Sequence, residues 1–177
     1  MTLREILKDT CILLEIDDSI LDDDTHTDTR LLVHSANSIF SQIAEQFIPY
    51  LAEQKVAVVD DKIPLSSLPR KCYAIKCVYT LDGNPVEYRV MHDYIKVNRL
   101  SNAIVNYRYI PEAYELEDEV ILPVRLTERV LGYGIASEFA MIRQRYEESL
   151  KFDKKFTDGI ISATRNESAT IKARRFS

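Results

Sequence analysis

Tryptophan is missing from this 177-residue sequence, and glycine, proline and cysteine are sparse, at four, six and three residues. So few glycines and prolines exclude collagen-like and low-complexity chains and favour regular elements over long irregular loops. Cys11, Cys72 and Cys77 are odd in number and contain no tight pair. That excludes a disulfide framework or a four-ligand zinc site. Each lies in an apolar periodic stretch, so buried free thiols in a reducing compartment are expected. No window approaches the roughly 20 apolar residues that span a bilayer. Residues 1–5 run directly into an amphipathic pattern, so no signal peptide is expected. Positive charge is not in excess either: the net charge is −5, which argues against non-specific nucleic-acid binding by the whole surface. Phosphate-cradling glycine loops, nucleophile elbows and dinucleotide fingerprints are all absent. The reading is therefore a protein that is not an enzyme, with no catalytic residue, cofactor or metal.

What is there describes a folded chain. Hydrophobic residues make up 46% and charged residues 29%, ordinary values for a globular domain, and the length suits a single one. The charge is segregated along the chain. Residues 1–60 carry twelve acids against four bases, whereas residues 160–177 carry Arg165, Lys172, Arg174 and Arg175 against Glu167 alone. Ends of opposite sign suit a subunit that packs directionally against neighbours.

Periodicity divides the chain. Thr2 followed by Glu5 is a capping box, and Leu3, Ile6, Leu7, Cys11 and Leu14 recur at helical spacing behind it. The acidic segment 17–28 reads as a loop. A second helix, capped by Asp28 or Thr29, places Leu32, Ala36, Ile39, Ile43 and Phe47 inward and ends near Pro49. The period then changes to two. Tyr73, Ile75, Cys77 and Tyr79 alternate, the turn Leu81-Asp82-Gly83-Asn84-Pro85 follows, and Val86, Tyr88 and Val90 resume. After a second turn at Leu100-Ser101-Asn102, residues Ala103, Val105, Tyr107 and Tyr109 share a face. These strands predict an antiparallel β-meander that needs helices to pack on. A long helix from Thr127 would carry Leu131, Ile135, Phe139, Ile142, Tyr146 and Leu150 on one face. Phe152, Phe156, Ile160 and Ala163 mark a fourth helix, or a continuation after a shift of face. The predicted class is α+β: a helical bundle with an inserted antiparallel β-module and an extended C-terminal arm. As a single domain it comprises two helices in 1–52, the β-module and connector in 53–125, two helices in 126–167 and the arm in 168–177.

Few residues invite chemistry. Asp22, Asp23, Asp24, His26 and Asp28 form the one metal-like cluster, but it lacks the central glycine of a calcium loop and reads as a solvated acidic loop. The competing reading, a small metal-dependent enzyme, predicts that alanine at Asp22, Asp24 and His26 abolishes activity. His34 stands alone, and His92 beside Asp93 points away from it in an extended segment. Gly132, Gly134 and Ala136 mark a tight helix crossing, more readily internal than between subunits. Ten tyrosines cluster largely in or beside the β-module. Among them Tyr88, Tyr94, Tyr107 and Tyr109 are candidates for an intersubunit or tail-facing surface, weighed evenly against ordinary strand preference. Ile171, Lys172, Arg174, Arg175 and Phe176 form a basic, apolar-punctuated end that fits a partner's groove.

Several stretches carry a resemblance. They are Asn106-Tyr107-Arg108-Tyr109-Ile110-Pro111, Leu122-Pro123, Gly132-Tyr133-Gly134-Ile135-Ala136-Ser137-Glu138-Phe139, Tyr146-Glu147-Glu148, Phe152-Asp153-Lys154-Lys155-Phe156 and Lys172-Ala173-Arg174-Arg175-Phe176. In this layout, over most of its length, the chain resembles the head–tail connector (adaptor) proteins of tailed bacteriophages with short tails. The resemblance implies a virion protein of the neck, assembled in the host cytoplasm as a ring of about twelve copies beneath the portal vertex. It implies that residues 171, 172 and 174–176 dock into the portal protein and that the β-module faces tail or neck proteins or neighbouring copies. DNA would pass the channel without sequence-specific binding, and no membrane is involved. A stopper-like neck component is the alternative within the same class.

Overall fold

The computed structural model describes residues 1–123 and 126–165. The fold is α+β, with helices and antiparallel sheets segregated along the chain as the change of period predicts. Two compact units result. One comprises residues 1–42 and the chain from 113 onward; the other, 43–112, is inserted into it.

The helical unit holds α1 (Leu3–Leu14), α2 (Thr27–Gln42), α3 (Glu128–Ile142) and α4 (Tyr146–Arg165). The capping box forms as read: Thr2 Oγ1 accepts from Glu5 N–H, and Thr2 N–H donates to the Glu5 carboxylate at 2.7 Å. Two more free amides of the first turn are satisfied from far along the chain. Leu3 N–H donates to Asp118 O at 3.0 Å and Arg4 N–H to Leu116 O at 2.9 Å. Segment 113–123, which the sequence reading grouped with the β-module, therefore belongs to the helices, burying Leu116 and Val120. Asn37 of α2 holds it as well. Its side chain accepts from Tyr114 N–H at 2.7 Å and donates to Tyr114 O at 3.0 Å, as a neighbouring backbone would.

The capping carboxylate yields a prediction. The Thr2 amide holds the Glu5 carboxyl below its ordinary value. A group depressed in the folded state contributes stability that is present above its unfolded value, near pH 4, and lost as pH falls through the folded one. Glu5→Ala is expected to lower stability at neutral pH, because it removes the carboxylate to which the Thr2 amide donates. In denaturant titrations the gap to the unmodified protein should shrink below about pH 4.

Helix α3 is central, packed by α1, α2 and α4. It can be so because its sequence is rich in small residues. A Cβ at Gly132 would meet Leu13 and Thr10 of α1 at 3.3–3.4 Å, and one at Gly134 would lie 2.8 Å from the Phe156 ring of α4 and 3.0 Å from Ile39 of α2. The glycine pair thus marks crossings inside one chain. The long helix expected from 127 through 150 does not run straight. It stops at Ile142, Gln144 takes φ +61°, and α4 restarts at Tyr146. Ile142, Tyr146 and Leu150, expected inward, are consequently 42%, 57% and 67% exposed. On α4 the face shifts to Phe156 and Ile160, both buried.

The inserted unit begins with a wide helical turn, Ile43–Phe47, closed by Ile48 N–H to Ile43 O at 2.8 Å, so α2 stops short of Pro49. Strands β1 (Tyr50–Ala57), β2 (Lys62–Pro64), β3 (Cys72–Tyr79), β4 (Arg89–Val90), β5 (Tyr94–Lys96) and β6 (Asn102–Tyr109) follow. They form two sheets, ordered β1-β6-β3 and β2-β5-β4, instead of a meander. The last strand pairs between the first and third because its Ala103, Val105 and Tyr107 are all fully buried and need cover. Strand β1 was not foreseen: Ala52 and Val56, which join its inner face, are separated by polar residues. Strand β3 departs from simple alternation. Bulges shift its register between Cys72 and Ala74 and between Ile75 and Cys77. Each bulge moves the phase by one residue, so Cys72, Ile75 and Val78 oppose Tyr109, Tyr107 and Val105 and pack in the core, in place of the run Tyr73, Ile75, Cys77, Tyr79. The turn at 81–85 forms as read, with Gly83 at φ +81°.

Candidate functional site

The basic end that the sequence singles out, Ile171, Lys172, Arg174, Arg175 and Phe176, lies outside the described residues. The four tyrosines divide. Tyr107 is fully buried in the core of the inserted unit, and burial pushes its phenol above the ordinary value. It offers no surface, because its side chain is enclosed in the core cluster that includes Val56, Val78 and Val105. Tyr88, Tyr94 and Tyr109 are half-buried and reach the surface. Tyr88 donates to Lys76 O at 3.2 Å, Lys62 sits 5.0 Å from the Tyr94 ring centre, and Arg70 caps Tyr109 at 4.4 Å. Tyr109 also meets Tyr50 edge-on at 5.5 Å. Aromatic bodies fixed from one side, with cations over their rings, are the arrangement protein interfaces favour.

The acidic loop is spent on structure. Arg4 donates to Glu117 at 2.6 Å, to Asp22 at 3.2 Å and to Leu21 O at 2.7 Å, joining α1, the loop and segment 113–123. Asp23 accepts from Thr25 through N–H and hydroxyl, which holds its carboxyl below the usual range, and Asp28 pairs with Arg143. His26 Nδ1 accepts from Asp28 N–H at 3.2 Å. Among the described residues no group of three or more His, Cys, Asp and Glu side chains is placed to hold a metal. His34 lies exposed on α2, and His92 meets Asp93 at 3.4 Å with both side chains almost fully in solvent.

What sequence reasoning missed is the apolar corner between α3 and α4. Met141, Ile142, Tyr146 and Leu150 stand out there, and an open depression of about 510 Å³ adjoins Ile142, lined also by Leu31, His34 and Arg143. A signal existed. The run Arg143-Gln144-Arg145 followed by Glu147-Glu148 is a helix end and a new acidic first turn, which favours a restart over continuation.

The thiols separate by burial. Cys11 is fully buried and its pKa is pushed up to about 11, chiefly by desolvation, whereas Cys72 and Cys77 are half-buried. At pH 8, alkylation of the folded protein is expected to spare Cys11 until denaturant is added, as read by mass spectrometry of the peptides.

Among the described residues no helix is long and apolar enough to cross a membrane. No family model matches the chain, and no curated protein matches it significantly.

Proposed function

We propose that the chain is a structural subunit of the neck of a tailed phage, a head–tail connector that closes into a ring beneath the portal. The observation that carries this reading is the insertion of an antiparallel unit, 43–112, between two halves of one helical unit, the layout the resemblance rests on. The exposed corner at Met141, Ile142, Tyr146 and Leu150 supports it, since such surface suits contact with another protein. So do the half-buried, cation-capped Tyr94 and Tyr109 of the inserted unit. In this reading residues 171–176 are the portal-docking arm, tail or neck proteins meet the other face, and DNA slides past a predominantly acidic surface.

The test is electron microscopy of the particle that contains the protein, together with a variant lacking residues 169–177. A closed ring stacked on a larger ring is the expected image. The truncated protein should keep its circular dichroism spectrum and lose docking to the portal. Normal docking without those residues would remove the arm from the proposal, and no ring in the particle would remove the proposal itself.

A further inference from the structure

We infer that the open edge of β1 is a docking surface for a second copy of this chain, paired antiparallel about Gln54. Strand β1 forms one edge of the sheet β1-β6-β3. The other edges in the inserted unit are blunted. Strand β3 is bulged twice, β2 is three residues long and ends in Pro64, and β4 has two residues. Only β1 is both long, at eight residues, and regular in register along its whole length.

The hydrogen-bond phase of that edge can be read from one contact. Val58 N–H donates to Ser101 O at 2.9 Å, in line with the β1–β6 register that pairs Ala57 with Asn102. In an antiparallel ladder bonded pairs alternate. Even-numbered residues of β1 therefore bond to β6, and the backbone groups of Leu51, Glu53, Lys55 and Ala57 point to the open edge. The side chains of the same four residues are exposed.

The sequence of this edge is complementary to itself. Turned antiparallel about Gln54, a second β1 sets Glu53 opposite Lys55 and Lys55 opposite Glu53. On the same face Leu51, 47% exposed, meets Ala57, a large residue against a small one. On the inner face Ala52 meets Val56, so the two cores run on into each other. Each opposed pair of odd-numbered residues aims its amides and carbonyls at the other, with Lys55 O exchanging its 3.1 Å bond from the Gln54 side chain for the facing Glu53 amide. Opposite charges directly across a ladder stabilise it whereas like charges oppose it. A shift of the register by two residues loses both ion pairs, so charge selects this one. A second copy is the occupant that supplies this pattern without further assumption. The inference is independent of the neck reading, because it concerns a two-fold contact and not a ring.

Sedimentation equilibrium of the full chain tests it. A concentration-dependent dimer is expected. Glu53→Lys and Lys55→Glu should each raise its dissociation constant about tenfold or more, because like charges then face each other twice. The double exchange, Glu53→Lys with Lys55→Glu, should restore it. Lys55→Pro removes an amide directed at the open edge, leaves the β6 ladder intact, and should also abolish the dimer. A monomer at every concentration would overturn the inference, with the edge charges then acting to keep copies apart. Equally, an oligomer of any size that is unchanged by the single reversals would overturn it.

Discussion

Replacing Phe156 by alanine is expected to lower the stability of the helical unit by about 3–5 kcal/mol, the range for emptying a fully buried aromatic site. Phe156 is 1% exposed on α4, and its ring lies where a Cβ at Gly134 of α3 would be. Nothing small can fill the space, since the α3 backbone opposite it has no side chain to move in. Phe152 provides the comparison. It is half-buried and stacks on Tyr133 at 6.2 Å, so Phe152→Ala should cost distinctly less. Urea unfolding followed by the helical circular dichroism signal reads both. A loss under about 1 kcal/mol for Phe156→Ala would mean that α4 does not bury this face on α3.

Gly134→Ala should destabilise although alanine is the better helix former. The propensity gain is about 1 kcal/mol. Against it, the new methyl would stand 2.8 Å from two atoms of a buried ring and 3.0 Å from Ile39. Overpacking of this kind costs typically about 1–3 kcal/mol beyond what relaxation recovers. The net loss is expected to be up to about 2 kcal/mol by the same two ranges. Gly132→Ala is the control, since its nearest neighbour is the end of the half-buried Leu13 side chain, which can swing aside. It should stay within about 1 kcal/mol of the parent. Combining Gly134→Ala with Phe156→Leu should cost less than the two single changes together, by at least about 0.5 kcal/mol. Strict additivity would mean that residues 134 and 156 are not in contact.

Local signals are legible where they are chemically particular. The Thr2–Glu5 cap, the start of α3 behind Thr127, the Gly83 turn and the alternation of Ala103, Val105 and Tyr107 all stand where the residues predict them. The departures from local pattern share a cause. Leu131 to Leu150 keeps helical spacing across a break, because spacing alone does not register that Gln144 leaves the helix with φ +61°. Strand β3 turns Cys72 and Val78 inward beside the expected Ile75, because two bulges against β6 reset its phase. Tyr107 has the same composition signal as Tyr94 and Tyr109 and all three lie on central strands, yet Tyr107 is fully buried and the other two are half-buried, a difference set by what packs over each side chain.

The sequence by itself determined the class, the capping box of α1, the turn chemistry, the segregation of charge and the small-residue crossing on α3, because each depends on neighbours within a few positions. The cap expected at Asp28 or Thr29 falls inside α2, which starts at Thr27. Tertiary structure alone decided that β6 lies between β1 and β3, that segment 113–123 closes the first turn of α1, and that Met141, Ile142, Tyr146 and Leu150 face outward. Those outcomes depend on which surface lies opposite a residue, and partners more than a hundred positions apart, such as Arg4 and Glu117, leave no local pattern to read.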